Sequence, residues 1–244
     1  MMKPFRKPLA FALLALTTLS PLSLGAAEEE VYIKMDLTTA EVGAPPVRIP
    51  FQPGIVGQSL DDLVATDENR VEVAKDLPDF PGKSLHFIKG SPEPRTPRAV
   101  FAGVHNLVTS GKVRFSWDAA IETFSPHEKF PGFEALLTFG LLDNVGMPFF
   151  NFFYLVDKDL TSGIFGSLGE KMGHWQAGSK QHFDILLDFD SGTATISIDE
   201  NEVGTVQFKT GEPLRIVQFT DGTGLAFYGG QFKAVISNFK MTRP

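Results

Sequence analysis

Hydrophobic and polar residues alternate in short runs along most of this chain, and the runs are separated by Gly, Pro, Asn and Asp. Residues 31–37 (VYIKMDL), 70–74 (RVEVA) and 83–88 (KSLHFI) alternate with period two, as does 112–119 (KVRFSWDA), where Val113, Phe115 and Trp117 share one face. Residues 133–139 (FEALLTF) place Phe133, Ala135, Leu137 and Phe139 on one face, and residues 149–156 (FFNFFYLV) read as a central strand covered on both sides. Further strands are predicted over 183–189, 194–198, 203–208, 214–219 and 231–241. No segment carries the 3.6-residue period over three helical turns; a single helical turn is expected at 60–64. Residues 40–54, rich in proline, read as a loop or an extended edge segment, and 91–98 (SPEPRTPR) as a surface loop. The pattern predicts an all-β fold, a two-sheet antiparallel jelly-roll sandwich.

The first 27 residues depart from this pattern. Lys3, Arg6 and Lys7 precede the apolar run 9–19, and Ser23, Gly25 and Ala27 offer small residues for cleavage, the layout of a secretory signal. The apolar run is shorter than the roughly 20 residues that a spanning helix needs, so no transmembrane segment is expected in the mature chain. The expected organisation is a signal peptide over 1–27 and one β-sandwich domain over 28–244, in a product that is periplasmic or extracellular. Loss of the leader removes three positive charges and takes the formal charge from −7 to −10, which disfavours nucleic acid as a partner. The chain has no cysteine, so disulfides, thiolate metal sites and a Cys nucleophile are all absent.

Three stretches resemble a known architecture. PGKSLHF at 81–87, HWQAGSKQHFDILLDFDSGTATISIDENEVGTVQF at 174–208 and AVISNFKMTR at 234–243 are similar to the concanavalin A-like lectin/glucanase jelly roll. Within it, they are similar to the laminin-G-like domains of secreted bacterial proteins. The likeness runs over 81–244 and weakens over 28–80. It implies the fold; the architecture hosts lectins, hydrolases, lyases and inert modules, so activity must be argued from the site.

The chemistry that such enzymes use is sparse here. A glycosidase wants an acid and a nucleophile or base on one strand face, two positions apart. The nearest row is Asp184, Asp188 and Asp190, interrupted by Leu186 and running into the turn DSGT. Lyases of this fold use a Gln-x-His strand, but here Gln181 and His182 are adjacent. The five histidines are dispersed without metal-ligand spacing, and Gly166-Ser167-Leu168-Gly169 lacks the full nucleophile elbow. No catalytic or metal-ligating set is therefore assigned. Calcium, the one cofactor the sequence suggests, could be held by the acidic loops at 157–159 and 199–202.

Aromatic residues with polar handles remain as ligand candidates, because Tyr and Trp stack on sugar rings at a wet surface. These are Tyr154, Trp117, Tyr228 and Trp175, in that order. The expected function is an exported carbohydrate- or surface-binding module without catalysis, whose partner is a polysaccharide or cell-surface glycan. The alternatives are a secreted polysaccharide hydrolase or lyase with an unrecognised site, and a structural or adhesive spacer.

Overall fold

A computed structural model describes residues 30–44, 49–52, 55–59, 69–90, 99–126, 135–156, 162–167, 170–221 and 231–244. The leader, the expected helical turn at 60–64, the acidic loop at 157–159 and Tyr228 lie outside the described residues. The described chain forms strands β1 (Glu30–Met35), β2 (Ile49–Gln52), β3 (Ile55–Ser59), β4 (Asn69–Leu77), β5 (Phe80–Lys89), β6 (Ala99–Val108), β7 (Lys112–Ser125) and β8 (Ala135–Leu142). They continue as β9 (Pro148–Val156), β10 (Ser162–Ser167), β11 (Glu170–Gln176), β12 (Gln181–Asp188), β13 (Thr193–Ile198), β14 (Asn201–Gln207), β15 (Leu214–Asp221) and β16 (Gln231–Arg243). Every pairing is antiparallel.

One hydrogen-bonded path links the strands, and it doubles back into two layers. The first runs β11-β10-β9-β8-β15-β6; the second runs β16-β7-β12-β13-β14, with β5 and β4 continuing beyond β16. Strands β3, β2 and β1 carry the path from one layer to the other. Ile49–Gln52 is therefore not an edge segment: β2 is flanked by β1 and β3.

The layers are held together by the odd-numbered face of β7. Val113, Phe115, Trp117, Ala119 and Ile121 all point into the core, as the alternation in the sequence requires. Trp117 stacks on Phe183 of the neighbouring β12 and reaches across to Phe139, Phe152 and Phe219 of the opposite layer. Phe149, Phe189 and Phe208 close one end of the same core. A small second cluster lies on the outer face of the second layer, where Phe80 at the tip of the β4–β5 hairpin packs on Ala120 and Val235.

Strand β9 corrects the sequence reading. It is not covered equally on both faces: Phe150, Phe152 and Tyr154 are buried, whereas Asn151, Phe153 and Leu155 point the other way and are only partly covered. Among the described residues no helix is long and apolar enough to cross a membrane.

Candidate functional site

The aromatic residues singled out as sugar platforms are core residues wherever the structure describes them. Trp117 is 0% exposed, Tyr154 1% and Trp175 2%. None offers a ring face to a ligand, and that expectation is corrected for these three. The physical reason is that a two-layer interior needs large side chains, and these aromatic rings supply them. Trp175 Nε1 donates to the Leu155 carbonyl at 2.9 Å. Burial pushes the Tyr154 phenol well above its ordinary range, with the Trp117 side chain as its polar neighbour.

The outward face of the first layer carries a different set. Cross-strand register places Gln218 of β15 beside Gly140 of β8, and Gly140 beside Asn151 of β9. A Cβ built on Gly140 would lie 3.0 Å from Asn151 Oδ1 and 3.2 Å from Gln218 Nε2. The two carboxamides thus close over the place where a side chain would stand, and Gly140 itself is buried beneath them. No protein group among the described residues hydrogen-bonds either side-chain amide. One step along, Thr220, Thr138 and Phe153 form the next row. The Thr220 hydroxyl is buried and lacks a protein partner, and the Phe153 ring is partly exposed. Ser167, from the incomplete elbow sequence, serves the backbone here: its hydroxyl donates to the Asn151 carbonyl at 2.8 Å.

The outward face of the second layer is charged. Asp118 of β7 stands opposite His182 of β12. Its Oδ1 meets His182 Nδ1 at 2.6 Å, and its Oδ2 accepts from Asn238 Nδ2 at 2.8 Å and lies 3.3 Å from Lys180 Nζ. Burial pushes the Asp118 carboxyl up, but the hydrogen bonds from His182, Asn238 and Lys180 outweigh it and hold the group below the usual carboxylate range. Farther along the face, His86 lies between Glu122, 2.9 Å from Nε2, and Glu72, 3.6 Å from Nδ1. The His86 hydrogen bond, against the opposing effect of burial, holds Glu122 below its ordinary range.

The expected acidic row does not form a reaction centre. The strand ends at Asp188, whose Oδ1 accepts the backbone N–H groups of Asp190 and Ser191 in the turn. Asp190 Oδ1 in turn accepts from the Gly111 backbone. Asp184 pairs with Arg114 at 3.5 Å. In the acidic loop at 199–202, Asp199 Oδ1 accepts the His182 backbone N–H at 2.8 Å, so this calcium candidate is occupied with organising a hairpin. Among the described residues no group of three or more His, Asp or Glu is arranged to hold a metal.

No family model matches this sequence, and no curated protein matches it either. Solved structures do match in fold. A carbohydrate esterase from Shiga toxin-encoding bacteriophage phi24B superimposes with a TM-score of 0.58 at 10% identity, over 88% of this chain and 99% of that one. A sialidase gives a TM-score of 0.54 at 16% identity, over 72% of this chain. The binding domain of botulinum neurotoxin serotype G gives 0.51 at 8% identity, over 87% of this chain. The matched region is 16% of the sialidase chain and 47% of the toxin chain. At such identities the likeness establishes architecture alone: this is an antiparallel jelly-roll β-sandwich.

Proposed function

We propose that this chain is an exported glycan-binding β-sandwich whose binding face is the outer surface of the first layer, where it retains its ligand without cleaving it. The observation that carries this reading is the cross-strand row Gln218–Gly140–Asn151, whose two carboxamides meet over Gly140, with the partly exposed Phe153 one row away. A sugar ring presents an apolar C–H face and a rim of hydroxyls. An aromatic ring answers the first. Carboxamides answer the second, because each has both donors and an acceptor. The described side chains of these two rows are uncharged, which favours a neutral polyhydroxyl ligand over a polyanion. They also include no acid–base pair, which favours retention over turnover at this face. The leader pattern of residues 1–27 supports export, which brings the protein among extracellular glycans. Two of the three structural neighbours above are named for carbohydrate chemistry, which supports the same class of ligand.

The test is retention of the mature protein on a panel of neutral and acidic polysaccharides by affinity electrophoresis, with and without calcium. Asn151→Ala and Phe153→Ala are expected to weaken retention on a neutral polysaccharide about tenfold each, a loss of about 1.4 kcal/mol per group, at unchanged melting temperature. Failure of the wild type on the whole panel would replace this reading with that of a structural spacer.

A further inference from the structure

The opposite face holds a histidine that the glycan-binding reading does not use. His182 is fixed at two points, its backbone N–H by Asp199 Oδ1 at 2.8 Å and its ring Nδ1 by Asp118 Oδ1 at 2.6 Å. Asp118 is itself fixed by Asn238 and Lys180. Asn238 sits with φ of 54° where the β16–β7 register slips, and this left-handed turn of the backbone carries its amide onto the carboxylate. The His182 side chain is nevertheless 47% exposed, and no described protein group meets Nε2. With Nδ1 donating to Asp118, the neutral ring carries its lone pair on Nε2 and presents it to solvent. The Lys180 ammonium shares the same carboxylate at 3.3 Å and lies 5.3 Å over the Phe80 ring, so a fixed cation borders the imidazole.

The other described histidine side chains differ. His86 has a carboxylate at each ring nitrogen and is nearly buried, so neither nitrogen is available. His174 is exposed and has no carboxylate to orient it.

We propose that His182 and Asp118 form a proton-transfer centre that hydrolyses O-acyl esters, with His182 as general base and Asp118 as the positioning residue. In the first step Nε2 removes a proton from water as the water oxygen bonds to the acyl carbon and the carbonyl π pair moves onto its oxygen, leaving an oxyanion beside the imidazolium. In the second that oxygen re-forms its double bond, the ester C–O bond breaks, and the leaving alkoxide recovers the proton from Nε2–H. The products are a carboxylic acid and an alcohol, with no change in oxidation state. With its side chain 47% exposed, His182 suits a small acyl group displayed on a larger molecule.

The experiment follows p-nitrophenyl acetate hydrolysis by the purified full chain across pH, with free imidazole at equal concentration as reference. Release is expected to exceed that reference and to rise as the imidazole loses its proton. His182→Gln should lower it about a hundredfold, the scale of one general base. Asp118→Asn should lower it about tenfold and displace the pH profile, while His174→Gln leaves it unchanged. Polysaccharide retention should survive His182→Gln, which separates this proposal from the glycan-binding one. A rate equal to that of free imidazole, or equal losses in His182→Gln and His174→Gln, would overturn the proposal. So would nitrogen NMR of the wild type showing the neutral His182 proton on Nε2, a measurement independent of how the variants fold.

Discussion

Trp117 lies 4.6 Å from the Phe139 ring and 5.2 Å from Phe183, stacked on both, with Phe152 and Phe219 at its edges. Trp117→Ala removes one of the largest side chains of the core and leaves a cavity that its four aromatic neighbours cannot all collapse into. The expected loss is about 3–5 kcal/mol, read as a fall in urea midpoint at constant slope. Its burial was legible in the sequence, because it alternates in phase with Val113 and Phe115; its aromatic partners, on four other strands, were not. Charged residues give a second expectation. Asp118 and Glu122 both have carboxyls held below their ordinary range in the folded protein. A depressed folded pKa contributes stability that is present above the unfolded carboxylate pKa and is lost as pH falls through the folded one. The urea midpoint should therefore drop as pH is taken from neutral into the acid range, and Asp118→Asn should make that drop shallower. An equally steep acid limb in the variant would remove Asp118 from this account.

Single elements are legible to different degrees, and β9 shows why. Its sequence FFNFFYLV is so apolar that period two is hard to see, and the face that carries Tyr154 is the buried one, which removes it as a ligand residue. Asn151 was the available signal: a carboxamide in such a run marks the face that meets water, and Phe153 is in phase with it. A slip of one residue exchanges the two faces of a strand. The face itself can be probed at Gly140. Gly140→Ala sets a methyl group 3.0 Å from Asn151 Oδ1 and 3.2 Å from Gln218 Nε2 on the outside of the sheet. It is expected to displace both amides and to weaken polysaccharide retention at least as much as Asn151→Ala, while the melting temperature moves by little. A large fall in melting temperature would show that the two amides over Gly140 serve packing instead. The sequence pattern does not mark strands β2, β3, β6, β10 and β11, for a related reason. They are short, or broken by Pro and Gly, and owe their extended form to neighbours on both sides or across the sandwich.

At the scale of the whole molecule, one contiguous core runs from Ile33 near the start of the described chain to Met241 near its end. Unfolding either layer exposes the aromatic residues of the other, so a single cooperative transition is expected in urea, coincident by tryptophan fluorescence and far-ultraviolet circular dichroism. Two separated transitions would show that the layers fail independently. The sequence by itself determined the all-β class, most of the longer strands and the inward face of β7. These follow from side-chain alternation, which is a local property of an extended backbone. Only the tertiary structure decided which residues stand together on the two outer faces. Asp118 meets His182 across 64 positions and Asn238 across 120. Gly140 lies between Asn151 and Gln218 because β8 is flanked by β9 and β15. Pairing partners and register are fixed by the total apolar surface that the two layers bury against each other, and no local stretch of sequence contains that quantity.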